Sequence, residues 1–443
     1  MRARSIRKRE GLSKSRALQH ALYRSAKQDP QRRFHALYVQ VYRRDILDRA
    51  WQEVRANRGA PGVDGVSIAD IEASGVGGFL DQLAADLGAQ TYRPAPLRRV
   101  DIPKAGQPGA TRPLGIPCVR DRVVMTAAKI VLEPLFEADF LPVSFGFRPR
   151  RSAHDACEVI RVEANRGRDW VLDADVRDCF GSIDWDALMA QIERRVSDRA
   201  MLKLLRAWLR VGVLEGGVVT DMVSGTPQGS PISPLLCNIA MHVLDEAWQE
   251  RHRRLGVLVR YADDLVVLCA GRERAEQARQ QVAAILAELG LQLHRDKTRI
   301  VCLTRGAQGF DFLGFHHHKV ASRRRPGRWY LHRWPSDRAM RSVRAKVKEM
   351  TGRSQLSRPA RDVVSDLNCR LRGWGNFFCW GNSAKKFWNI DAYVYERLER
   401  FMRNQHGHRG RYGRRCFYDD YHSLGVYRLS GTQRYGIPVH AWR

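Results

Sequence analysis

Runs of apolar residues of strand length alternate with amphipathic helical patterns through the middle of the chain. Strands are predicted at Trp170–Val176, Val257–Tyr261, Leu265–Ala270, 299–303 and 310–316. Helices are predicted at 185–211, 234–251 and 273–289, the last of which ends before Gly290, a residue type that commonly terminates helices. This order of elements predicts an α+β topology on a mainly antiparallel sheet.

The two ends of the chain differ from the middle. Towards the N-terminus, helices are predicted at 31–56, 66–90 and 119–138, with a Gly/Pro-rich loop at Asn57–Gly65. After about residue 330 the strand pattern fades, and helices near 337–350, 360–380 and 385–403 carry many Arg, Lys and Trp residues. We therefore predict a second, mostly helical domain in the C-terminal part.

Charge narrows the range of functions. The 443 residues include 76 Lys and Arg against 47 Asp and Glu, a net charge of +29. Such an excess opposes compaction unless a polyanion binds, which favours a nucleic-acid partner. No apolar run approaches the ~20 residues of a membrane span, and the nine cysteines form no CxxC pair. We expect a cytosolic protein with reduced thiols that binds nucleic acid and not membranes.

Two carboxylates lie between apolar strands. Asp263 and Asp264 separate the runs that end at Tyr261 and begin at Leu265, with almost no loop. This predicts a tight hairpin with both carboxylates at its tip. Because Asp is also favoured in ordinary turns, the run alone does not distinguish a catalytic site from a structural turn.

Two more carboxylates lie on the strand at 170–176. Asp173 and Asp175 share one face of it, because strand side chains alternate. If this strand neighbours the hairpin, Asp175, Asp263 and Asp264 converge, and divalent cations would relieve their repulsion. Oxygen ligands select hard cations, so we expect Mg²⁺. Two such ions, roughly 4 Å apart, support in-line phosphoryl transfer.

Several blocks of sequence together resemble one family. Tyr261-Ala-Asp-Asp264, with Asp175 in its own strand, resembles the catalytic palm of reverse transcriptases. The terminal blocks resemble those of the group II intron-encoded members, which also assist splicing as maturases. The blocks that carry the resemblance are Asn57–Gly65, Ile102–Lys104, Arg112–Pro117, Ser144–Pro149, Ser152–His154, Thr226–Pro234, Leu291–Thr298, Phe312–Phe315 and Leu371–Phe377.

This resemblance implies a right-hand polymerase, with α+β fingers and a palm that carries the antiparallel sheet and the YADD hairpin, followed by an all-α thumb or maturase domain. The domains predicted from it are a basic N-terminal extension at 1–56, fingers at 57–170, a palm at 171–318 with 185–230 partly in the fingers, a thumb at 330–405, and a basic segment at 406–443 that either binds DNA or caps the thumb.

The resemblance also implies an RNA-directed DNA polymerase with two Mg²⁺ ions. Its partners would be an intron RNA template, a DNA primer or target, and deoxynucleoside triphosphates, in a nucleoprotein complex of the bacterial cytoplasm. The implied metal ligands are Asp175, Asp263, Asp264 and the backbone carbonyl of Val176. The implied nucleotide-binding residues are Lys104, Arg112, Phe180, Gln228 and Lys297, and the implied primer grip is Phe312, Leu313 and Gly314.

Among these residues, Phe180 corresponds to the aromatic gate of the family. An apolar ring beneath the sugar rejects a ribonucleotide sterically and leaves its 2′-hydroxyl without a partner. The next residue departs from the family pattern, because Gly181 stands where Asp is usual. The departure puts a local turn or hydrogen bond in doubt, and leaves the metal ligands untouched.

Three further carboxylate and histidine features receive simpler interpretations. Adjacent side chains on a turn cannot point inward equally, so Asp264 is assigned the less direct contact with the metals. Asp173 is interpreted as a hydrogen-bonded structural carboxylate. The run His316–His318 is interpreted as part of a strand or loop, since three consecutive side chains diverge. No endonuclease is expected, because only Cys416 lies beyond residue 405.

Three alternative functions stay open at this point. The palm could be the scaffold of an RNA-binding splicing factor without polymerase activity. A domesticated reverse transcriptase, CRISPR-associated or acting in phage defence, would carry the same catalytic blocks. An RNA-dependent RNA polymerase shares the palm but typically lacks the aromatic gate.

Overall fold

The computed structural model describes residues 2–103, 109, 111–215, 218–220, 224–226, 229–406, 417 and 421–435. Within these ranges the side chains of residues 2–13, 112, 215, 218 and 219 lie outside the description. Lys104 and Gln228, two of the predicted nucleotide-binding residues, and most of the 406–443 segment are outside the described residues.

The helices dominate both ends of the chain. They are α1 (Arg2–Gln28), α2 (Tyr38–Val41), α3 (Arg44–Ala56), α4 (Ile68–Ser74), α5 (Val76–Gly88), α6 (Val119–Glu137), α7 (Ala153–Asn165), α8 (Cys179–Ser182), α9 (Trp185–Glu193), α10 (Arg199–Leu209), α11 (Ser233–Ala247), α12 (Arg272–Ala287), α13 (Asp337–Met350), α14 (Ala360–Phe378) and α15 (Ala384–Gln405). A π-helical turn at Trp248–His252 extends α11.

Among the described residues, the strands form three sheets. They are β1 (Leu97–Pro103), β2 (Thr111–Ile116), β3 (Trp170–Asp175), β4 (Val213–Glu215), β5 (Val218–Thr220), β6 (Gly256–Tyr261), β7 (Asp264–Cys269), β8 (Arg299–Cys302), β9 (Gly309–Phe312), β10 (Phe315–Ala321) and β11 (Trp329–Pro335). The first sheet has the order β2-β1-β4-β5, the central sheet β6-β7-β3-β8, and the third sheet β11-β10-β9.

Helix α6 is the central support of the N-terminal half. Its residues Val123, Val124, Val131 and Leu135 are all fully buried, and so is most of its remaining surface. Burial of side chains all around a helix requires neighbours on every side, and α1, α2, α3 and α11 pack around α6. The predicted helix at 119–138 is confirmed.

Two predicted N-terminal helices are each divided in the structure. The segment predicted as 31–56 contains α2 and α3, which are separate helices. The segment predicted as 66–90 is interrupted at Gly75, whose φ of +104° is outside the helical range. A glycine adopts this conformation at low cost, which is why hydrophobic periodicity alone did not reveal the break.

The central sheet is covered on both faces, which explains its nearly continuous apolar strands. Along β7, Leu265 and Val267 pack into the core shared with the helices of the N-terminal half. Val266 and Leu268 point the other way, into a core shared with α7, the third sheet and the helices after α12. All four side chains are fully buried, so the period-two alternation separates two apolar environments instead of core and solvent.

The third sheet extends further than the sequence pattern indicated. Strand β11 pairs with β10 in antiparallel register from Phe315–Pro335 to Ala321–Trp329. The strand pattern therefore ends slightly later than predicted, at Pro335, and β11 itself was not predicted. The inward positions of β11 include the buried Arg333, whereas tryptophans occupy partly exposed ones. Polarity therefore does not mark the buried face of this strand.

Asp198 connects two backbone segments of the N-terminal half. One carboxylate oxygen caps α10 by accepting the amides of Ala200 and Met201, at 3.0 and 3.2 Å. The other oxygen accepts the amides of Leu37 and Tyr38, at 2.8 and 2.7 Å. The residue is 8% exposed, so these four amides would otherwise lack a partner away from water.

We predict that Asp198→Ala lowers the free energy of unfolding by about 3 kcal/mol, because it removes a helix cap and orphans two buried amides. Urea titration measures this. The matched control is Asp184→Ala, which removes the exposed cap of α9 on one amide, that of Ala187, and should cost about 1 kcal/mol. Equal losses in the two variants would contradict the connecting role of Asp198.

Candidate active site

The two predicted carboxylate strands are direct neighbours. Strand β3 pairs with β7 in antiparallel register, and Asp175 stands opposite Asp264. Directly opposed residues in such a pair project to the same face of the sheet. The neighbouring arrangement that the sequence analysis required is therefore present, and the two carboxylates meet at one end of the central sheet.

A small cleft opens at this end of the sheet. Its volume is about 190 Å³. The residues that line it are Asp173, Ala174, Asp175, Asp264, Lys297, Asp311, Phe312 and Leu313. The cleft thus collects carboxylates from β3 and β7, one lysine, and the predicted primer-grip residues. Asp311 was not predicted from the sequence, although it directly precedes the predicted primer-grip block that begins at Phe312.

The hairpin between β6 and β7 is as tight as predicted. Tyr261 pairs with Asp264, and the turn consists of Ala262 and Asp263. Ala262 has a φ of +59°, which non-glycine residues adopt rarely. Asp263 is partly buried in the turn, and Asp264 is the one of the pair that lines the cleft. The sequence analysis had given Asp264 the less direct position.

Gly146 supports the hairpin from behind. A Cβ atom at this position would lie 2.5 Å from the amide nitrogen of Ala262 and 2.9 Å from the carbonyl carbon of Tyr261. Only glycine allows the 144–149 block to approach the turn backbone this closely. The side-chain amide of Asn238 on α11 donates to the carbonyl oxygen of Gly146 at 2.8 Å.

Arg260 holds the hairpin from inside the protein. This fully buried residue lies on β6, directly before Tyr261. Its guanidinium forms a bidentate ion pair with the buried carboxylate of Asp245 on α11, at 2.8 and 2.5 Å. It also donates to the side-chain oxygen of Asn238 and to the carbonyl oxygen of Ala262 in the turn. The sequence reasoning missed it, although an Arg inside an apolar strand was a visible signal.

Crowding of carboxylates perturbs the protonation of Asp264. Desolvation in the cleft, followed by repulsion from Asp263, Asp175 and Asp173, raises the pKa of Asp264 to about 7. The side chain of Asp264 is open to solvent on its cleft side. The desolvation therefore comes from the protein atoms crowded around it, and the residue is not fully enclosed. A nearby cation would offset the repulsion among these carboxylates and would favour the ionised form of Asp264.

Two basic residues already compensate part of this charge. The Lys297 ammonium lies 3.1 Å from a carboxylate oxygen of Asp175, and about half of the lysine side chain is exposed. Arg299 on β8 donates to Asp173 at 3.0 Å. Burial raises the pKa of Asp173, and the bond from Arg299 opposes that rise. This pairing agrees with the interpretation of Asp173 as a structural carboxylate.

The donor set fits a divalent cation, although a finished cage is not formed. Within the described ranges, no three His, Cys, Asp or Glu side chains are already arranged to hold a metal ion. Asp175 and Asp264 nonetheless offer oxygen ligands, which hard cations prefer. Two backbone hydrogen bonds flank Val176: the amide of Arg177 donates to the carbonyl oxygen of Gln292, and the amide of His294 donates to the carbonyl oxygen of Asp175. Neither hydrogen bond uses the carbonyl oxygen of Val176.

Phe180 occupies the second residue of α8 and is 9% exposed. It does not line the carboxylate cleft. Its carbonyl oxygen accepts the amide of Thr226 at 2.5 Å, which fixes the 224–226 segment against α8. Gly225 has a φ of +80° and touches Gly181 so closely that a Cβ would collide with it. A Cβ on Gly181 would itself collide with the carboxylate of Asp178.

The predicted primer-grip residues form the turn between β9 and β10. Leu313 and Gly314 have φ values of +50° and +81°, and Phe312 is buried at the edge of the cleft. The carbonyl oxygen of Gly314 accepts the amide of Ser336 at 2.9 Å. This bond fixes the turn to the start of α13, so the hairpin is positioned by the helical C-terminal part.

The histidine run borders the cleft-lining set through His316, whose Nδ1 lies 2.6 Å from a carboxylate oxygen of Asp311. The backbone of Arg112 is in β2, opposite Ile102 in β1. His317 is fully buried and stacks on Phe310 with centroids 5.1 Å apart. His316 and His318 point to the opposite face and stack on each other at 6.0 Å. The prediction that this run belongs to a strand and diverges is confirmed.

Comparison with known proteins decides the family. Residues 102–317 match the reverse transcriptase (RNA-dependent DNA polymerase) family, and residues 340–417 match the group II intron maturase-specific domain. The chain is 33% identical to Protein YkfC of Escherichia coli K12 over 349 residues, which cover 70% of this chain and 89% of YkfC. The chain belongs to the group II intron-encoded reverse transcriptases.

A second relative of this reverse transcriptase is the group II intron-encoded protein LtrA of Lactococcus lactis. The identity is 29% over 394 residues, which cover 75% of this chain and 62% of LtrA. The chain thus spans about three fifths of the length of LtrA. Among solved structures, a chain of the "Partial Cas6-RT-Cas1--Cas2 complex" aligns with 56% of this chain and 40% of its own length, at 24% identity and a TM-score of 0.36.

The family assignment fixes several general properties of this reverse transcriptase. Its class is RNA-directed DNA polymerase, with an α+β right-hand fold and a helical C-terminal region. Such enzymes generally use divalent metal ions, and the two matched domains imply RNA and DNA as substrates. Within the part of the chain described, no helix combines the length and the apolar character needed to cross a bilayer.

Charge on Asp264 makes the stability of the metal-free enzyme depend on pH. A carboxyl whose folded pKa is raised to about 7 stabilises the fold while it is protonated, and that contribution is lost as the pH rises from about 4 through 7. We predict that Asp264→Asn, which cannot ionise, gains stability relative to the wild type as the pH rises. The difference in free energy of unfolding between the variant and the wild type should be larger at pH 8 than at pH 5. Solvent screening in the open cleft limits the gain to roughly 1 kcal/mol.

Urea unfolding in chelator-treated buffer at pH 5 and pH 8 measures this difference. Asp362→Asn, which changes an exposed carboxylate in the first turn of α14, is the control and should show no such pH-dependent gain. Added Mg²⁺ at pH 8 should remove the advantage of Asp264→Asn. A gain that is equal at both pH values would contradict the charge crowding.

Proposed function

We propose that this protein extends a DNA primer on its intron RNA by a two-Mg²⁺ nucleotidyl transfer, and that it binds the same RNA to assist splicing and mobility. The observation that carries the proposal is the in-register pair of Asp175 and Asp264 in a cleft shared with Lys297 and Phe312. We also propose that the protein acts in the bacterial cytoplasm in a nucleoprotein complex, because its relatives YkfC and LtrA are bacterial and the matched domains imply RNA and DNA as substrates.

The carboxylates form the metal site of this proposal. Asp175, Asp263 and Asp264 would hold the ions, with the carbonyl of Val176 as an added ligand. Bound divalent cations supply Lewis-acid stabilisation of the attacking and leaving oxygens. The raised pKa of Asp264 reflects its desolvation and the negative charge crowded at this point, and that crowding favours the binding of cations there.

Lys297 and the β9–β10 turn would act on the two ends of the reacting system. Lys297 forms an ion pair with Asp175 in the free protein. Its half-exposed ammonium could leave Asp175 and pair with the negatively charged pyrophosphate that departs. Phe312, Leu313 and Gly314 would position the primer end, because their turn borders the same cleft. Lys104, Arg112 and Gln228 remain proposed nucleotide contacts on the family motif alone.

The alternative functions are not favoured by the two matched domains. A splicing factor without polymerase activity would not need the carboxylate cleft, and a CRISPR or phage-defence role would not need the maturase-specific region at 340–417.

Primer extension tests the polymerase directly. We predict that Asp263→Ala and Asp175→Asn each lower DNA synthesis on an RNA template with a DNA primer by about 10²-fold or more, since a lost cation contribution is worth several kcal/mol. Asp173→Asn is the matched control, because Asp173 is already paired with Arg299. It should retain most of the activity. Full extension by the Asp263→Ala protein would refute the catalytic proposal.

The sugar specificity of Phe180 has its own test. We predict that Phe180→Val raises the ratio of ribonucleotide to deoxyribonucleotide incorporation by about tenfold to a hundredfold, because the ring no longer excludes the 2′-hydroxyl. Phe180→Tyr keeps the ring and should preserve the discrimination. Single-nucleotide incorporation kinetics with each triphosphate give the ratio. An unchanged ratio in Phe180→Val would mean that Phe180 is only a core residue.

A further inference from the structure

Helix α10 carries an unusual row of positive charge. Arg199, Lys203, Arg206 and Arg210 follow one another at spacings of four, three and four residues, which places them on one face of the helix. All four side chains are exposed. The helical segment Arg199–Leu209 contains no acidic residue.

The opposite face of α10 is fixed in the protein core. Met201, Leu204, Leu205 and Trp208 are all buried there. Asp198 caps the helix and ties its start to the backbone of α2. The basic row is therefore presented by a rigid element, which lowers the entropy that a binding partner must overcome.

Most of this charge lacks an internal partner. Arg206 pairs with Glu193 at 2.8 Å. Among the described residues, Arg199, Lys203 and Arg210 take part in no ion pair. An ordinary solvated helix face mixes both signs, as α12 does, where Arg279 pairs with Glu276 at 2.9 Å. The uniform sign on α10 points to an external polyanion.

The shape of the row indicates how such a polyanion would bind. At 1.5 Å per residue, the row spans about 16 Å. The surface around it is formed by Arg199, Leu202, Lys203, Arg206, Ala207 and Arg210, so it is an open helix face and not a cleft between two elements. Among the described residues, no aromatic side chain borders this surface. Proteins that bind single strands stack bases on aromatic rings, so the surface suits phosphates instead.

Half-burial of α10 restricts the geometry further. A helix whose inner face is packed into the core has only its outer face free, and the deep, narrow major groove of double-helical RNA does not admit it, so α10 would lie across the RNA backbone. Double-helical RNA is recognised by shape and by contacts with its backbone, because its major groove is too narrow for side chains to read. An outer row of charges meets that requirement.

We propose that the α10 face binds the phosphodiester backbone of a double-helical region of the intron RNA, outside the polymerase cleft. No α10 residue lines that cleft. The inference rests on the proposed function for the identity of the RNA, and it adds the surface on which a folded part of that RNA is held. Contacts of this kind position the RNA without reading its sequence.

The test compares two triple variants of the full chain with equal changes in net charge. The first is Arg199→Gln with Lys203→Gln and Arg210→Gln, which leaves the Arg206–Glu193 pair intact. The matched control is Arg272→Gln with Arg274→Gln and Arg279→Gln on the exposed, mixed-charge face of α12. The probes are a 20-base-pair RNA duplex, the DNA duplex of the same sequence, and oligo(U), each titrated from about 50 to 300 mM salt.

We expect the α10 variant to bind the RNA duplex at least tenfold more weakly near 150 mM salt. The slope of log affinity against log salt should fall by about three, one for each lost phosphate contact. The α12 variant should change little, and oligo(U) should respond less than the duplex. Extension of a short primer on a short RNA template should be the same in both variants.

Three results would overturn the inference. If both triple variants lost the same affinity for the RNA duplex, net charge alone would explain the binding. If the α10 variant lost as much affinity for the DNA duplex as for the RNA duplex, α10 would be a general phosphate-binding surface. If it lost no affinity, the α10 face would be only solvated. Thermal melting verifies folding, and the single variants Lys203→Gln and Arg210→Gln, each expected to lower the slope by about one, serve if the triple variant is unstable. Failure of the proposed function would show separately, as a wild type without primer extension.

Discussion

Repulsion among carboxylates is the constraint on which the active-site end of this protein depends. Asp175 and Asp264 face each other across two paired strands, and desolvation together with repulsion from Asp263, Asp175 and Asp173 raises the pKa of Asp264 to about 7. Left to themselves, like charges at this spacing would move apart. The structure has to force them together, and it does so with contacts that lie behind the site and never reach the cleft.

Three of those contacts act on the hairpin alone. Arg260 forms its ion pair with Asp245 in the interior and donates to the turn carbonyl of Ala262. Gly146 lets a neighbouring loop press against the turn backbone. Removing one partner of a buried pair typically costs about 3–5 kcal/mol, because the other charge is left uncompensated. The position of the carboxylates is thus stabilised by the core, while their charge stays available to ligands.

Much of this arrangement was predictable from the sequence, and the exceptions have physical causes. The strands that carry Asp175 and Asp264 were predictable because both faces of the central sheet are apolar. Strand β11 was missed because the buried Arg333 sits on its inner face. Arg260 was missed because its partner Asp245 lies on another element, and only the fold brings them together. Gly75 divides a helix by backbone conformation, which hydrophobic periodicity does not report.

We propose that these carboxylates bind a pair of hard cations, and counting the metal ions bound to each protein molecule is the most direct test. Mn²⁺ is a suitable probe, because it shares the preference of Mg²⁺ for oxygen ligands and is detected by electron paramagnetic resonance. With primer, template and incoming nucleotide bound, the wild type should hold two Mn²⁺ ions, and Asp175→Asn should lose at least one. An equal number of ions in the two proteins would contradict the account.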